Sequence, residues 1–297
     1  MELRHLRYFV AVAETMNFHR AAENLHISQP PLSTQIKDLE HELGVDLFVR
    51  DKRRIHLTAA GNVFLNHARY ILSNASEAKR QAIMAASGME GTLSVRFVSS
   101  AVTGTLQTLV NRFKSKYPQV DVSLSQSIST QIIQALGENE IDIGLVRTPK
   151  TLPENLHGVL VLKESYNVAL SSNHPLCRKK RIHPQDLRDE RLLIFPRNTG
   201  ADSFDDVMRI FHKYDISPEN VHEIQEGMTI AGQLTVAGLV ASGMGYSIVP
   251  ECFTKLPVPG VTHRPLVGGK NRTGIMAVAH KQSEPTAKNF MGLLKSA

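Results

Sequence analysis

Pro30, Ser33, Thr34 and Lys37 fall at i, i+3, i+4 and i+7, so on a helix they share one short polar face with a cation at its far end. Gln29 stands at the head of the same segment. A glutamine amide can pair with adenine, and hydroxyls reach base edges or phosphate oxygens. Shortly after, Arg50, Lys52, Arg53 and Arg54 place four cations within five residues, which is the chemistry of phosphate neutralisation. A polar helix face alone is also what any small bundle shows to water, and a charge run alone is commonly a solvated loop. The two in succession, helix face and then basic tip, point to a protein that seats itself on a DNA duplex.

A second set of residues suits a small anion. Ser99 and Ser100 end a strand-like run, and Ser129 and Thr130 open a helix-like one. Arg147 closes another apolar run, Phe195 and Pro196 a further one, and Asn198 and Thr199 follow. Hydroxyls and unpaired N–H groups at helix starts favour a carboxylate, an arginine adds a charge-assisted bond, and the phenylalanine supplies an apolar wall for a ring. Ordinary helix capping explains each Ser or Thr taken singly. The donors outnumber the acceptors, so the expected ligand is a small carboxylate, aromatic or derived from ring cleavage.

Three apolar stripes must position the first set. They are Leu6, Phe9, Val10, Ala13; then Phe18, Ala21, Ala22, Leu25 after a break at Asn17; then Leu32, Ile36, Leu39, Leu43, stopped by Gly44. No stripe can be buried alone, so the three face one another. Ser28 stands where an N-cap belongs, with Pro30 and Pro31 in the first turn. Val45, Leu47 and Phe48 lead into the basic run, and Ile55 and Leu57 flank His56, which reads as two short strands with a cationic tip. Thr58 caps a further helix, in which Phe64, Ala68, Ile71, Ala75, Ala78 and Ala82 keep helical spacing to about residue 86. That rod, roughly 40 Å long, has no core of its own and calls for a partner helix; packing on its own domain is the alternative.

The stretch 3–61, LRHLRYFVAVAETMNFHRAAENLHISQPPLSTQIKDLEHELGVDLFVRDKRRIHLTAAG, closely resembles the winged helix-turn-helix of LysR-type transcriptional regulators. The resemblance implies that Gln29, Pro30, Ser33 and Lys37 lie on a recognition helix beside Thr34, that Arg53 or Arg54 sits on the wing, and that chains pair through the helix after it. Many relatives carry Arg or Gln at position 34, so DNA binding carries over while operator sequence does not.

After the small-residue hinge 87–91, apolar runs at 92–98, 120–125, 141–146, 158–162, 166–171, 191–195, 246–250 and 274–280 alternate with helical stretches near 103–116, 129–137, 203–214, 229–242 and 285–295. This α/β alternation predicts a largely parallel sheet in two small lobes. It resembles the effector domain of the same family, itself similar to periplasmic solute-binding proteins, with 235–250 the most recognisable piece. The expected fold is α+β overall: a winged helix-turn-helix at 1–58, a linker helix and hinge at 59–90, and an effector domain at 91–297 whose lobes cover about 91–162 with 266–297, and 163–265. The branch resembled includes regulators answering to aromatic acids.

The resemblance implies a transcriptional activator bound to double-stranded operator DNA, working as a homodimer or homotetramer, with RNA polymerase as a further partner. Composition agrees: 297 residues, net charge +6, pI near 9.3. No membrane partner, export signal or cofactor is expected, which predicts a cytoplasmic protein. Cys177 and Cys252 are far apart and expected to be free, and the thirteen histidines show no metal spacing. No G-x-S-x-G, P-loop or complete dinucleotide loop is present, so no enzyme is expected. A solute-binding protein would have to lack the first 86 residues.

Overall fold

The computed structural model describes residues 1–51, 54–103, 105–216, 220–224 and 228–294, with backbone alone for 50, 51 and 54. The chain divides into two compact units, Met1–Met84 and Ala85–Ala297.

The first unit runs α1 (Leu3–Thr15), α2 (Phe18–Asn24), α3 (Gln29–Leu43), a hairpin of β1 (Phe48–Asp51) and β2 (Arg54–Leu57), and then α4 (Ala59–Ala86). The stripes meet as expected: Leu6, Phe9, Ala21, Leu32, Ile36 and Leu39 are buried in one core. Phe48 at the start of the hairpin joins it, with ring centroids 5.3 Å from Phe9 and 6.0 Å from Phe18. The break at Asn17 is a cap, because its side-chain oxygen accepts from the N–H groups of His19 and Arg20.

Only Gly61 and Ala68 of α4 are buried. At 28 residues the helix is about 42 Å long. Its predicted stripe divides in two. Phe64 stacks edge-on against Phe9 at 5.0 Å, and Ala68 lies in the head's own core, so both are consumed within the unit. Val63, Tyr70 and Ile71 are left exposed on the neighbouring face.

The second unit holds two lobes. The first is built from β3 (Glu90–Phe97), α5 (Thr105–Lys116), β4 (Gln119–Gln126), α6 (Ser129–Gly137), β5 (Ile143–Arg147) and β6 (Leu156–Glu164). The chain then crosses at Ser165 into β7 (Tyr166–Ser171), β8 (Leu192–Ile194), α7 (Ala201–His212), β9 (Val221–Glu223), α8 (Ile230–Ala241), β10 (Ser247–Pro250) and β11 (Val261–Pro265). It returns through residues 266–272 into β12 (Thr273–His280) and α9 (Pro285–Leu294).

The first lobe's sheet has the order β4-β3-β5-β12-β6. It is mixed rather than largely parallel: β3 pairs parallel with β4 and β5, but β12 comes back from the second lobe and enters antiparallel between β5 and β6. In the second lobe β7 is flanked antiparallel by β10 and β11, and β8 pairs parallel with β9. Leu193 N–H donates to the Tyr246 carbonyl at 2.8 Å and ties the two ladders together. β9 and β11 have no apolar alternation; each is fixed by a neighbouring strand instead.

Candidate functional sites

In the head, α3 starts where expected, but Ser28 does not cap it with its side chain. A capping hydroxyl accepts from the N–H of the second or third helical residue. Those residues are Pro30 and Pro31, which have none. Opposite the buried edge, Gln29, Pro30, Thr34 and Lys37 are exposed and Ser33 is half-buried. The Thr34 hydroxyl donates back to the Pro30 carbonyl at 3.2 Å, leaving it an acceptor toward solvent. Arg53 lies outside the described residues. Arg54 opens β2, where its backbone pairs with Asp51.

Sequence reasoning missed the residue that ties the hairpin to the helix. Glu40 accepts from the N–H groups of Leu47 and Phe48 at 2.9 and 3.0 Å, clamping the chain just before β1. Thr58 fastens the other side: its hydroxyl donates to the Asp46 carbonyl at 2.8 Å and accepts from Gly61 N–H at 2.8 Å, capping α4. A glutamate on a half-polar helix gives no sign that its donors lie seven and eight residues on.

In the second unit a cavity of about 100 Å³ opens between the lobes, room for several waters or a small ring. It gathers Ser99, Ser100, Ser129, Thr130, Arg147 and Phe195. Each stands where a strand ends or a helix begins. β3 gives way to the 3-10 turn Ser99–Ala101, whose two serines are buried. Ser99 Oγ donates across to the Met228 carbonyl of the other lobe, 3.3 Å away. α6 begins at Ser129 with Ile128 in the cap position and no side-chain cap. Its first N–H groups therefore have no acceptor within the helix.

Across the cavity, residues 200–204 bring in the start of α7, also without a side-chain cap. Two helix N-termini from opposite lobes thus line one cavity and favour an anion there, with Asp202 in the first turn of α7 offsetting part of that field. Ile194, Phe195, Val207, Val249 and Phe253 supply apolar wall.

Asn198 is not among the lining residues; it is exposed in the turn Arg197–Thr199. Thr199 lines the cavity instead, turned back by its bond to the Pro196 carbonyl at 2.8 Å.

Arg147 borders the cavity with its guanidinium already engaged. It donates from Nη1 to Glu164 at 2.6 Å and to the Thr273 hydroxyl at 3.4 Å, and from Nη2 to Cys252 Sγ at 3.3 Å. Cys252 N–H in turn donates to Glu164 at 2.7 Å. Both ionic side chains are buried. Instead of offering a ligand a free positive charge, Arg147 forms a neutral knot at the crossing between lobes. A glutamate at the end of β6 reads from sequence as solvent-facing, which hid the pair. Burial pushes the Cys252 thiol up, with the Arg147 charge opposing, which disfavours the thiolate. Both cysteines are free.

Asp202 adds a carboxylate in the first turn of α7. Tyr166 adds a buried phenol whose oxygen makes no hydrogen bond of good geometry. Burial raises its pKa, moderated by the nearby Thr273 hydroxyl and the Arg147 charge. Among the described residues no cluster of three His, Cys, Asp or Glu is placed to hold a metal, and no helix is long and apolar enough to cross a membrane.

Residues 3–62 match the family of bacterial regulatory helix-turn-helix proteins of the lysR type, and residues 86–297 match the LysR substrate binding domain. The chain is 34% identical to the transcriptional regulator BenM of Acinetobacter baylyi, over 96% of this chain and 92% of that protein. It is 33% identical to a probable cat1 operon transcriptional activator of Acinetobacter lwoffii, over 99% and 94%. The solved structure of CbnR, a LysR family transcriptional regulator, is similar with a TM-score of 0.84 at 31% identity, over 99% of this chain and 100% of that one. CbnR complexed with its target DNA is similar at 0.81 and 30% identity, over 100% and 99%. With a reading head on one unit and an inter-lobe cavity on the other, the chain belongs to the LysR family of helix-turn-helix transcriptional regulators.

Proposed function

We propose that a small carboxylate with an apolar ring or chain binds between the lobes and changes how the head engages its operator, with no chemical conversion. The observation that carries this reading is the pair of uncapped helix N-termini, α6 and α7, facing one apolar-walled cavity from opposite lobes. A ligand anion there is held by backbone dipoles and by the hydroxyls of Ser99, Ser100, Ser129 and Thr130, because Arg147 is neutralised. Calorimetry against benzoate-like, cinnamate-like and aliphatic dicarboxylic acids tests it. Micromolar binding of at least one acid is expected; exclusive binding of a cation or a neutral sugar overturns it. Ser99→Ala should weaken the acid by about 1 kcal/mol, since the hydroxyl that would trade its bond to the Met228 carbonyl for one to a ligand oxygen is gone, with operator affinity in the ligand-free protein unchanged.

On DNA, Gln29, Ser33, Thr34 and Lys37 take the base edges and nearby phosphates, while Arg53 and Arg54 take the flanking backbone. Replacing both arginines by alanine should weaken every sequence and flatten the salt dependence by nearly one logarithmic unit for each phosphate no longer neutralised. Titration over a range of salt reads this directly, and an unchanged slope removes the wing from the interface.

Two chains pair through the exposed face of α4 that includes Val63, Tyr70 and Ile71. Ile71→Asp should give monomers by light scattering, with operator footprints abolished; a normal dimer carrying aspartate would move the seam elsewhere. Activation is the expected sign of regulation, in line with relatives named as operon activators.

A further inference from the structure

Outside the effector cavity, on the second lobe, a cavity of about 190 Å³ is lined by Asp206, Arg209, Ile210, Lys213, Gly268 and Arg272. Three of the six are cations and one is an acid. Arg209 is paired with Asp206 at 2.7 Å. Among the described residues neither Lys213 nor Arg272 has an acidic partner within ion-pair distance.

Arg209 in the last turn of α7 and Lys213 at its C-cap have an ordinary reason to stand there, since the helix dipole favours positive charge at that end. Arg272 does not. It comes from the loop 266–272, whose backbone turns through left-handed conformations at Gly268 (φ +84°) and Asn271 (φ +52°). The loop is held in place by the other crossing: Tyr166 N–H donates to the Gly269 carbonyl at 2.9 Å, and Asn271 N–H donates to the Ser165 hydroxyl at 3.3 Å. Two exposed cations line one concavity without an acidic partner among the described residues, so the site favours an anion between them. Guanidinium forks favour phosphate oxygens in particular.

We infer that this cavity is a second anion site, separate from the effector cavity, that takes a phosphate group of a small molecule. One wall is α7 and the other is the loop 266–272 that crosses between lobes. An anion bound there therefore touches the segment that sets the angle between them.

The experiment compares the full-length wild type with the Lys213→Ala/Arg272→Ala double variant. Each is titrated with inorganic phosphate and pyrophosphate by calorimetry, and melted in phosphate or chloride at equal ionic strength. Both positions are exposed, so in chloride the variant should melt with the wild type. Phosphate or pyrophosphate should bind the wild type at millimolar or better and raise its melting temperature beyond chloride. Binding should fall by at least about tenfold in the variant. Equal binding by both proteins, or none by the wild type, overturns the proposal. So does a variant with unchanged phosphate binding but a flatter salt dependence on operator DNA, because the cluster would then read a DNA backbone.

Discussion

Replacing Arg147 by alanine should cost the second unit about 3–5 kcal/mol, because it leaves the Glu164 carboxylate buried without its cation. The loss appears as an earlier denaturant midpoint for that unit, with the head's transition in place. The paired control is Arg147→Met with Glu164→Leu, which removes both charges at similar volume. It should recover most of the loss, since a buried ion pair contributes little beyond an apolar pair of the same size. A single variant that loses under about 1 kcal/mol would mean the pair is as weak as an exposed one. The consequence for interpretation is specific: failed induction in an Arg147 variant reports a damaged crossing between lobes before it reports a missing bond to the ligand.

Gly61→Ala should be the most damaging small substitution in the head. A Cβ there would lie 2.1 Å from the Leu47 carbonyl oxygen. That carbonyl cannot retreat easily, because it also accepts from Thr58 N–H at 3.0 Å and the Glu40 carboxylate holds Leu47 N–H from behind. The expected loss is about 3 kcal/mol or more, the upper range for overpacking against backbone. Gly44→Ala is the contrasting case. Nothing lies within 4 Å of its Cβ, and only its left-handed φ of +70° resists, so about 1 kcal/mol is expected. Thermal unfolding of the two variants side by side checks the order, and similar losses would show that the junction yields.

What could be read in advance follows the range of the interactions. Periodicity revealed α1 to α3, and Asn17 and Gly44 marked boundaries, because stripes and caps are written within a few residues of where they act. The cavity was legible for the same reason: Ser99, Ser129 and Phe195 sit at local strand-to-helix junctions that the topology then brings together. Contacts across distance were not legible. Glu40 reaching the start of β1, Glu164 neutralising Arg147, and Phe64 turning into its own head each depend on a partner that spacing cannot supply. Asn198 failed by one position, since a 3-10 turn rotates each residue farther than an α-helix does. The mixed sheet of the first lobe was missed because the direction of β12 is set by its return from the second lobe.

The junction of hairpin and long helix has a mechanical consequence. The bonds of Glu40 and Thr58 around Leu47, and the close approach of Gly61, tie α4 to α3, so the two are expected to move together. A roll or tilt delivered along α4 would then reach the exposed face of α3 as displacement. Over a lever of about 42 Å, a tilt of only a few degrees shifts the far end by several ångströms, comparable to one base-pair step. Two such levers clasped side by side would act as a caliper, translating a small angular change into a choice between half-site spacings.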